Sequence, residues 1–222
     1  MRLYELLQLG GPVMLVLLAL SVLATAIVLY KLAQYAARGV WHGGSTRAAL
    51  DQLAHGEAEA AHARLAAGRG PLAVTTAAAL RCAADRRLSN AQVEAEIARV
   101  GTAQVRELEG GLRALSAIAH LSPLLGLLGT VFGMIRAFMQ VEGAGPRVDP
   151  SLLAGGIWEA LLTTAFGLTI AIPAMAAFYF LEGAVDRVRA AMKDNVVRVL
   201  IYHGRQPAAQ EVEPQAQEDY AV

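Results

Sequence analysis

The run 158–174, WEALLTTAFGLTIAIPA, is apolar enough to sit in lipid, yet it holds one carboxylate, Glu159, and three hydroxyls, Thr163, Thr164 and Thr169. An ionised group deep in a bilayer costs about 2.5 kcal/mol or more. Glu159 therefore needs either a counter-charge or a task that uses its charge. The task open to a carboxylate and hydroxyls on a helix in lipid is to line a path for a proton or cation. The counter-charge at hand is Arg136, in the preceding apolar run. If the two runs are antiparallel helices joined around Gly145, Arg136 and Glu159 lie about 9 and 14 residues from the joint. Their depths then differ by about 7 Å at 1.5 Å per residue. A long arginine side chain covers that offset, so an Arg136–Glu159 ion pair and a path role for Glu159 both fit.

Small residues surround these groups at helical spacing. Gly126, Gly129, Thr130, Gly133 and Ala137 fall at i, i+3, i+4, i+7 and i+11, and Gly129 with Gly133 makes a GxxxG. In the later run Ala160, Thr164, Gly167, Ala171 and Ala174 make a similar stripe. Small residues let helices approach closely in lipid, where no hydrophobic effect holds them together. Close packing therefore accounts for the glycines and alanines. A lone threonine can satisfy its hydroxyl on a carbonyl one turn back. Thr130 and Thr164, each inside such a stripe, point further, to a polar face turned toward a partner or a water path.

The elements that position these residues follow from where charge is missing. The chain has 222 residues, of which 17% are charged and 55% hydrophobic, with no net charge. Soluble chains average roughly 25% charged residues. About 24 uncharged residues separate Glu5 from Lys31, about 22 separate Arg113 from Arg136, and about 22 separate Glu159 from Glu182. Each run exceeds the roughly 20 residues a helix needs to cross the hydrocarbon core. The expected fold is an all-α membrane protein, with transmembrane helices at 12–31, 114–140 and 152–181. A cleaved signal peptide is the alternative for the first run, with Ala24-Thr25-Ala26 as the cleavage mimic. The near-neutral start and the continuation to Tyr30 favour a retained anchor.

Basic residues set the orientation. Eleven Lys/Arg run from Lys31 to Arg113 and five follow Phe180, whereas only Arg2 and Arg147 lie on the opposite side. The expected layout is a short external N-terminus at 1–11, a cytoplasmic helical loop at 32–113 and an external hairpin at 141–151. A cytoplasmic helix at 182–203 and a disordered, acidic, proline-bearing tail at 204–222 complete it. Within the loop, Gly56 should divide the helix-forming stretch 46–67 into two, and Gly68 to Pro71 should end that hairpin. A further helix runs from Pro71 to Arg87. Ser89 with Gln92 resembles a capping box. The helix that starts there has no clear stop before about Gln140, which suggests one rod, with a break at Gly110-Gly111 as the alternative. The third long helix should run from about Ser151 to His203, with Pro173 inside it.

Several chemistries find no support. Cys82 is the single cysteine, so no internal disulfide forms. The histidines lack metal-ligand spacing, no phosphate-cradling loop is present and no basic-aromatic cluster suggests nucleic acid. No serine–histidine or metal set falls within the spans, so neither an enzyme nor a cofactor is expected.

The segments SPLLGLLGTVFGMIRAF and GGIWEALLTTAFGLTIAIPA resemble the MotA/TolQ/ExbB proton-channel family, nearest its ExbB branch. The likeness is specific over 112–180 and weaker over the GGPVM of the first span. It implies an inner-membrane homopentamer around the helices of a small one-span partner of ExbD or TolR type, whose aspartate carries the proton. A TonB-like protein would receive the force. Thr130 and Thr164 match the family's pore-lining threonines, and Glu159 matches its glutamate five residues before the latter. Arg136 matches no family landmark. The chain also departs from the family in having little sequence ahead of the first span.

Overall fold

The computed structural model describes residues 11–41, 44–143 and 150–204. Those residues contain seven α-helices and no strand: α1 Gly11–Ala37, α2 Gly44–Ala54, α3 Ala58–Ala67, α4 Pro71–Ala84, α5 Asn90–Glu109, α6 Leu112–Gly143 and α7 Pro150–Tyr202. Three stretches, Gly11–Ala37, Asn90–Gly143 and Leu153–Tyr202, are long and apolar enough to cross a membrane. Of the expected N-terminus at 1–11, hairpin at 141–151 and tail at 204–222, residues 1–10, 144–149 and 205–222 lie outside the described residues.

Local chemistry accounts for the boundaries. Gly56, at φ +84°, separates α2 from α3 in a left-handed turn that only glycine adopts freely. Pro71 sits in the first turn of α4, where its missing N–H is no loss. That helix stops at Ala84, before the expected Arg87, because the Asp85 carboxylate accepts the Arg87 amide at 2.9 Å and turns the chain. The capping box forms: the Ser89 amide donates to Gln92 Oε1 at 2.9 Å and the Gln92 amide to Ser89 Oγ at 3.3 Å. The single rod to Gln140 does not. Gly111 takes φ +84° and interrupts the helix, so α5 and α6 are separate elements. In contrast, α7 passes Pro173 unbroken for 53 residues.

The chain divides into two compact units, Met1–His42 with Gln104–Arg189, and Gly43–Ala103 with Ala190–Val222. The second unit is a small water-soluble-style bundle. Leu50, Leu53, Leu65, Leu80, Val93, Ile97, Val199 and Leu200 form its core, interleaved with alanines. Asn195 Nδ2 donates to Thr76 Oγ1 at 3.4 Å within it.

The first unit is built differently. Its large apolar side chains, among them Leu23, Leu29, Leu124, Phe138, Leu161 and Ile172, are exposed. Where α6 meets α7, its buried contacts are made by small residues. A helix that is apolar all round belongs in lipid, and the packing here has the form expected there. A Cβ built on Gly129 would lie 2.5 Å from Thr163 Oγ1 and 2.7 Å from Thr163 Cβ. One on Gly133 would lie 3.0 Å from Ala160 Cβ. α1 packs on α6, and its Val13, Met14 and Leu17 are buried.

This approach leaves no room for one added methyl. Thr163 cannot escape by rotating, because its Cβ is itself in the way. Gly129→Ala is expected to cost about 1–3 kcal/mol through overpacking. Gly143→Ala, with nothing within 4 Å, should leave stability unchanged or slightly raised. Unfolding midpoints of the two variants in the same detergent make the comparison, and equal midpoints would contradict the tight α6–α7 contact.

Candidate functional site

The site is the seam between α6 and α7. Gly126 meets Thr163, Thr164 and Gly167, Gly129 meets Thr163, Gly133 meets Ala160, and Gly156 meets Ala137. The midpoints of these pairs run from between residues 144 and 145 to between 146 and 147, which fixes the antiparallel register. About their mean near residue 146, Arg136 and Glu159 differ in depth by about three residues, or roughly 4.5 Å, an offset that a long arginine side chain covers.

Small residues lie where the spacing puts them. Gly126, Gly129, Gly133 and Ala137 are buried on α6, as are Ala160, Gly167 and Ala171 on α7. The threonines divide. Thr163 is 1% exposed and sits at the centre of the seam. Its hydroxyl donates to Ala160 O at 2.7 Å and lies 3.4 Å from Gly126 O across the seam. The α7 stripe therefore runs Ala160, Thr163, Gly167, Ala171 and Ala174, and Thr164 borders it. The sequence reading missed Thr163 as a packing residue. The three-and-four alternation of 160, 163, 167, 171 and 174 was the available signal.

Thr130 and Thr164 flank the seam, each half-buried. Thr130 Oγ1 donates to its own helix, at Leu127 O and 2.6 Å. Thr169 does likewise to Ala165 O at 2.8 Å, and Ser122 to Ile118 O at 2.7 Å. Thr164 is different, because its Oγ1 is buried and has no hydrogen-bond partner. A buried hydroxyl left unpaired costs about 1–3 kcal/mol. A helical threonine usually avoids that cost by bonding back to its own chain.

Arg136 and Glu159 meet at 3.3 Å, Nη1 to Oε1, with the side chains 51% and 25% exposed. The pair has a third neighbour that the sequence did not suggest. A Cβ on Gly11, whose φ is +59°, would lie 3.0 Å from Arg136 Nη1. The guanidinium thus lies against the first residue of α1 and faces Glu159 of α7. One cation on α6 touches both other long helices.

The model of the MotA/TolQ/ExbB proton channel family matches residues 67–194, more than half of the chain. Biopolymer transport protein exbB1 of Vibrio cholerae is 43% identical over 90 residues, which cover 40% of each chain. The Tol-Pal system protein TolQ of Haemophilus influenzae is 40% identical over 85 residues, 38% of this chain and 37% of that protein. An ExbB-like biopolymer transport protein of Synechocystis is 35% identical over 176 residues, 76% of this chain and 66% of that one. The chain thus matches between about a third and two thirds of these relatives' lengths.

The ion pair sets a double-mutant cycle. If Arg136 and Glu159 mainly neutralise each other, either single change, Arg136→Met or Glu159→Gln, strands a charge. Each should then lower assembly more than the double change does. If Glu159 serves a proton path with help from Arg136, Glu159→Gln assembles and conducts poorly, and the double variant conducts no better. The expected result is the second. Strong coupling in assembly with flux intact in the double variant would remove Glu159 from the path.

Proposed function

Since this chain belongs to the MotA/TolQ/ExbB proton channel family, we propose that it is the channel subunit of an inner-membrane energy transducer of ExbB type. In this reading five copies form a ring, with the N-terminus outside and the loop and C-terminus in the cytoplasm. A one-span ExbD-like partner occupies the ring and presents a membrane carboxyl group to the seam residues. A TonB-like protein receives the force for outer-membrane transport. One proton moving down 100 mV releases about 2.3 kcal/mol to drive the partner's movement.

The observation that carries the reading is the unpaired, buried hydroxyl of Thr164 beside the glycine seam. A group that bears a desolvation cost, where its neighbours bond to their own helices, is suited to hydrating a carboxyl group supplied by another chain. Glu159 and Thr130 stand on the same two helices and extend the polar path. The 40% identity to a TolQ supports a second reading, in which the same machine serves envelope maintenance through TolR- and TolA-like partners.

Native mass spectrometry of the purified chain should show a pentamer, and a stable monomer or dimer would contradict the ring. In that assembly Thr130→Ala with Thr164→Ala should spare oligomerisation, because alanine keeps the close packing. Proton flux in the presence of the partner should fall about five- to tenfold for each hydrogen bond lost, at about 1–1.5 kcal/mol. Unchanged flux would favour a non-conducting scaffold. Whether the defect appears in outer-membrane uptake or in envelope integrity separates the ExbB from the TolQ reading.

A further inference from the structure

The last turn of α5 holds Glu107 and Glu109. Carboxylates at a helix C-terminus face the negative end of its dipole and are unfavourable there. Neighbouring helices of the same unit supply the offset. Lys31 and Tyr35 on α1, with Arg38 just past its end, share one face at i, i+4 and i+7. Lys31 Nζ donates to Leu108 O at 2.9 Å and to Gln34 Oε1 at 2.7 Å, with Glu107 O at 3.4 Å. An ammonium has three N–H groups, and here each has an oxygen to face. Tyr35 Oη donates to the same Leu108 O at 2.9 Å. Arg38 pairs with the Glu107 carboxylate. From the other side Arg189 of α7 pairs with Glu109, and with Asp186 at 2.5 Å.

Lys31 is only 2% exposed and Tyr35 fully buried. A buried lysine is uncommon unless its charge is well satisfied. Here main-chain carbonyls at a helix end satisfy it. Burial and the Glu109 charge push the Tyr35 phenol up to about 12, so Tyr35 remains a donor at any physiological pH. Arg38 holds the Glu107 carboxyl below the usual carboxylate range, so that pair stays charged too. Directly after this gripped turn come Gly110 and Gly111. A Cβ on Gly111 would find only ordinary contacts, Lys31 Cε at 3.6 Å and Ile27 Cγ2 at 3.8 Å. The glycine is therefore needed for its φ of +84° and not for space.

We infer that Lys31, backed by Tyr35, is a positioning residue that fixes the end of α5 to α1 and sets where α6 begins after Gly110–Gly111. The gripped turn has cations on both flanks, and α1 also packs along α6, with Lys31 and Ile27 beside Gly111 and Gly11 beside Arg136. The grip therefore holds the start of α6, the helix of Thr130, in register with α1. The functional part rests on the proton-channel reading, and the structural part does not.

Hydrogen exchange and proton flux on the full-length protein, assembled with its partner, test this. Lys31→Met keeps the length and removes the donors. It should speed exchange of the amides in 104–111 roughly tenfold, leave the second unit's exchange unchanged and lower flux with the oligomer intact. Tyr35→Phe removes one donor without altering shape or charge. It should raise the same exchange several-fold, which keeps the test decisive if Lys31→Met fails to fold. Unchanged exchange in 104–111, a rise spread evenly over the chain, or unchanged flux despite local fraying would each overturn the inference. Absence of flux in the unsubstituted assembly would instead mark failure of the channel reading, before any variant is compared.

Discussion

The close approach of α6 and α7 is the constraint on which the rest of the membrane-facing unit depends. Between helices in lipid there is no hydrophobic gain, so contact must come from van der Waals packing and hydrogen bonds at short range. Gly126, Gly129 and Gly133 bring the α6 backbone onto Thr163 and Ala160. Thr163 fills the seam with a hydroxyl that is already satisfied on its own helix. This contact sets the register, and the register sets everything polar nearby. It places Arg136 within reach of Glu159 and brings Thr130 and Thr164 to the borders of the same seam.

The polar groups around the seam have separate physical accounts. Glu159 and Arg136 face each other at 3.3 Å, so each charge has an opposite one beside it. Ser122, Thr130, Thr163 and Thr169 bond back to carbonyls of their own helices or close to it. Thr164 does not. That contrast separates hydroxyls that merely fit a helix in lipid from one that bears a cost. It is the feature most easily understood if a further polar group comes from another chain.

The two units rest on different physics, and α7 contributes to both. Up to Arg189 it packs first by small residues and then by Leu181, Val185 and Val188, with apolar side chains such as Leu161 and Ile172 outward. Its final turns supply Val199 and Leu200 to an ordinary hydrophobic core with Leu50, Leu80 and Ile97. There burial of apolar area, at about 25 cal/mol per Å², is the driving force. A single 53-residue helix therefore carries two kinds of stripe, small residues first and branched aliphatic residues later.

Much of this was legible in the sequence alone. Charge-free runs of sufficient length determine three long helices. The glycine at 56, the Pro71 start and the Ser89–Gln92 box mark boundaries through local backbone chemistry, which needs no knowledge of distant contacts. The small-residue stripes determine that α6 and α7 can pack closely, and the motif around Thr130 and Thr164 determines the family. Tertiary structure decided what depends on register and on partners far along the chain. Thr163 rather than Thr164 fills the seam because the exact rotation of α7 against α6 selects between adjacent residues. Gly11 meets Arg136 across more than a hundred residues. Lys31, which in sequence only marks the end of an apolar run, is buried because the carbonyls that satisfy it lie 76 and 77 residues away. Local patterns fix elements, because their energetics are local; which side chain meets which across a seam is fixed only when the helices dock.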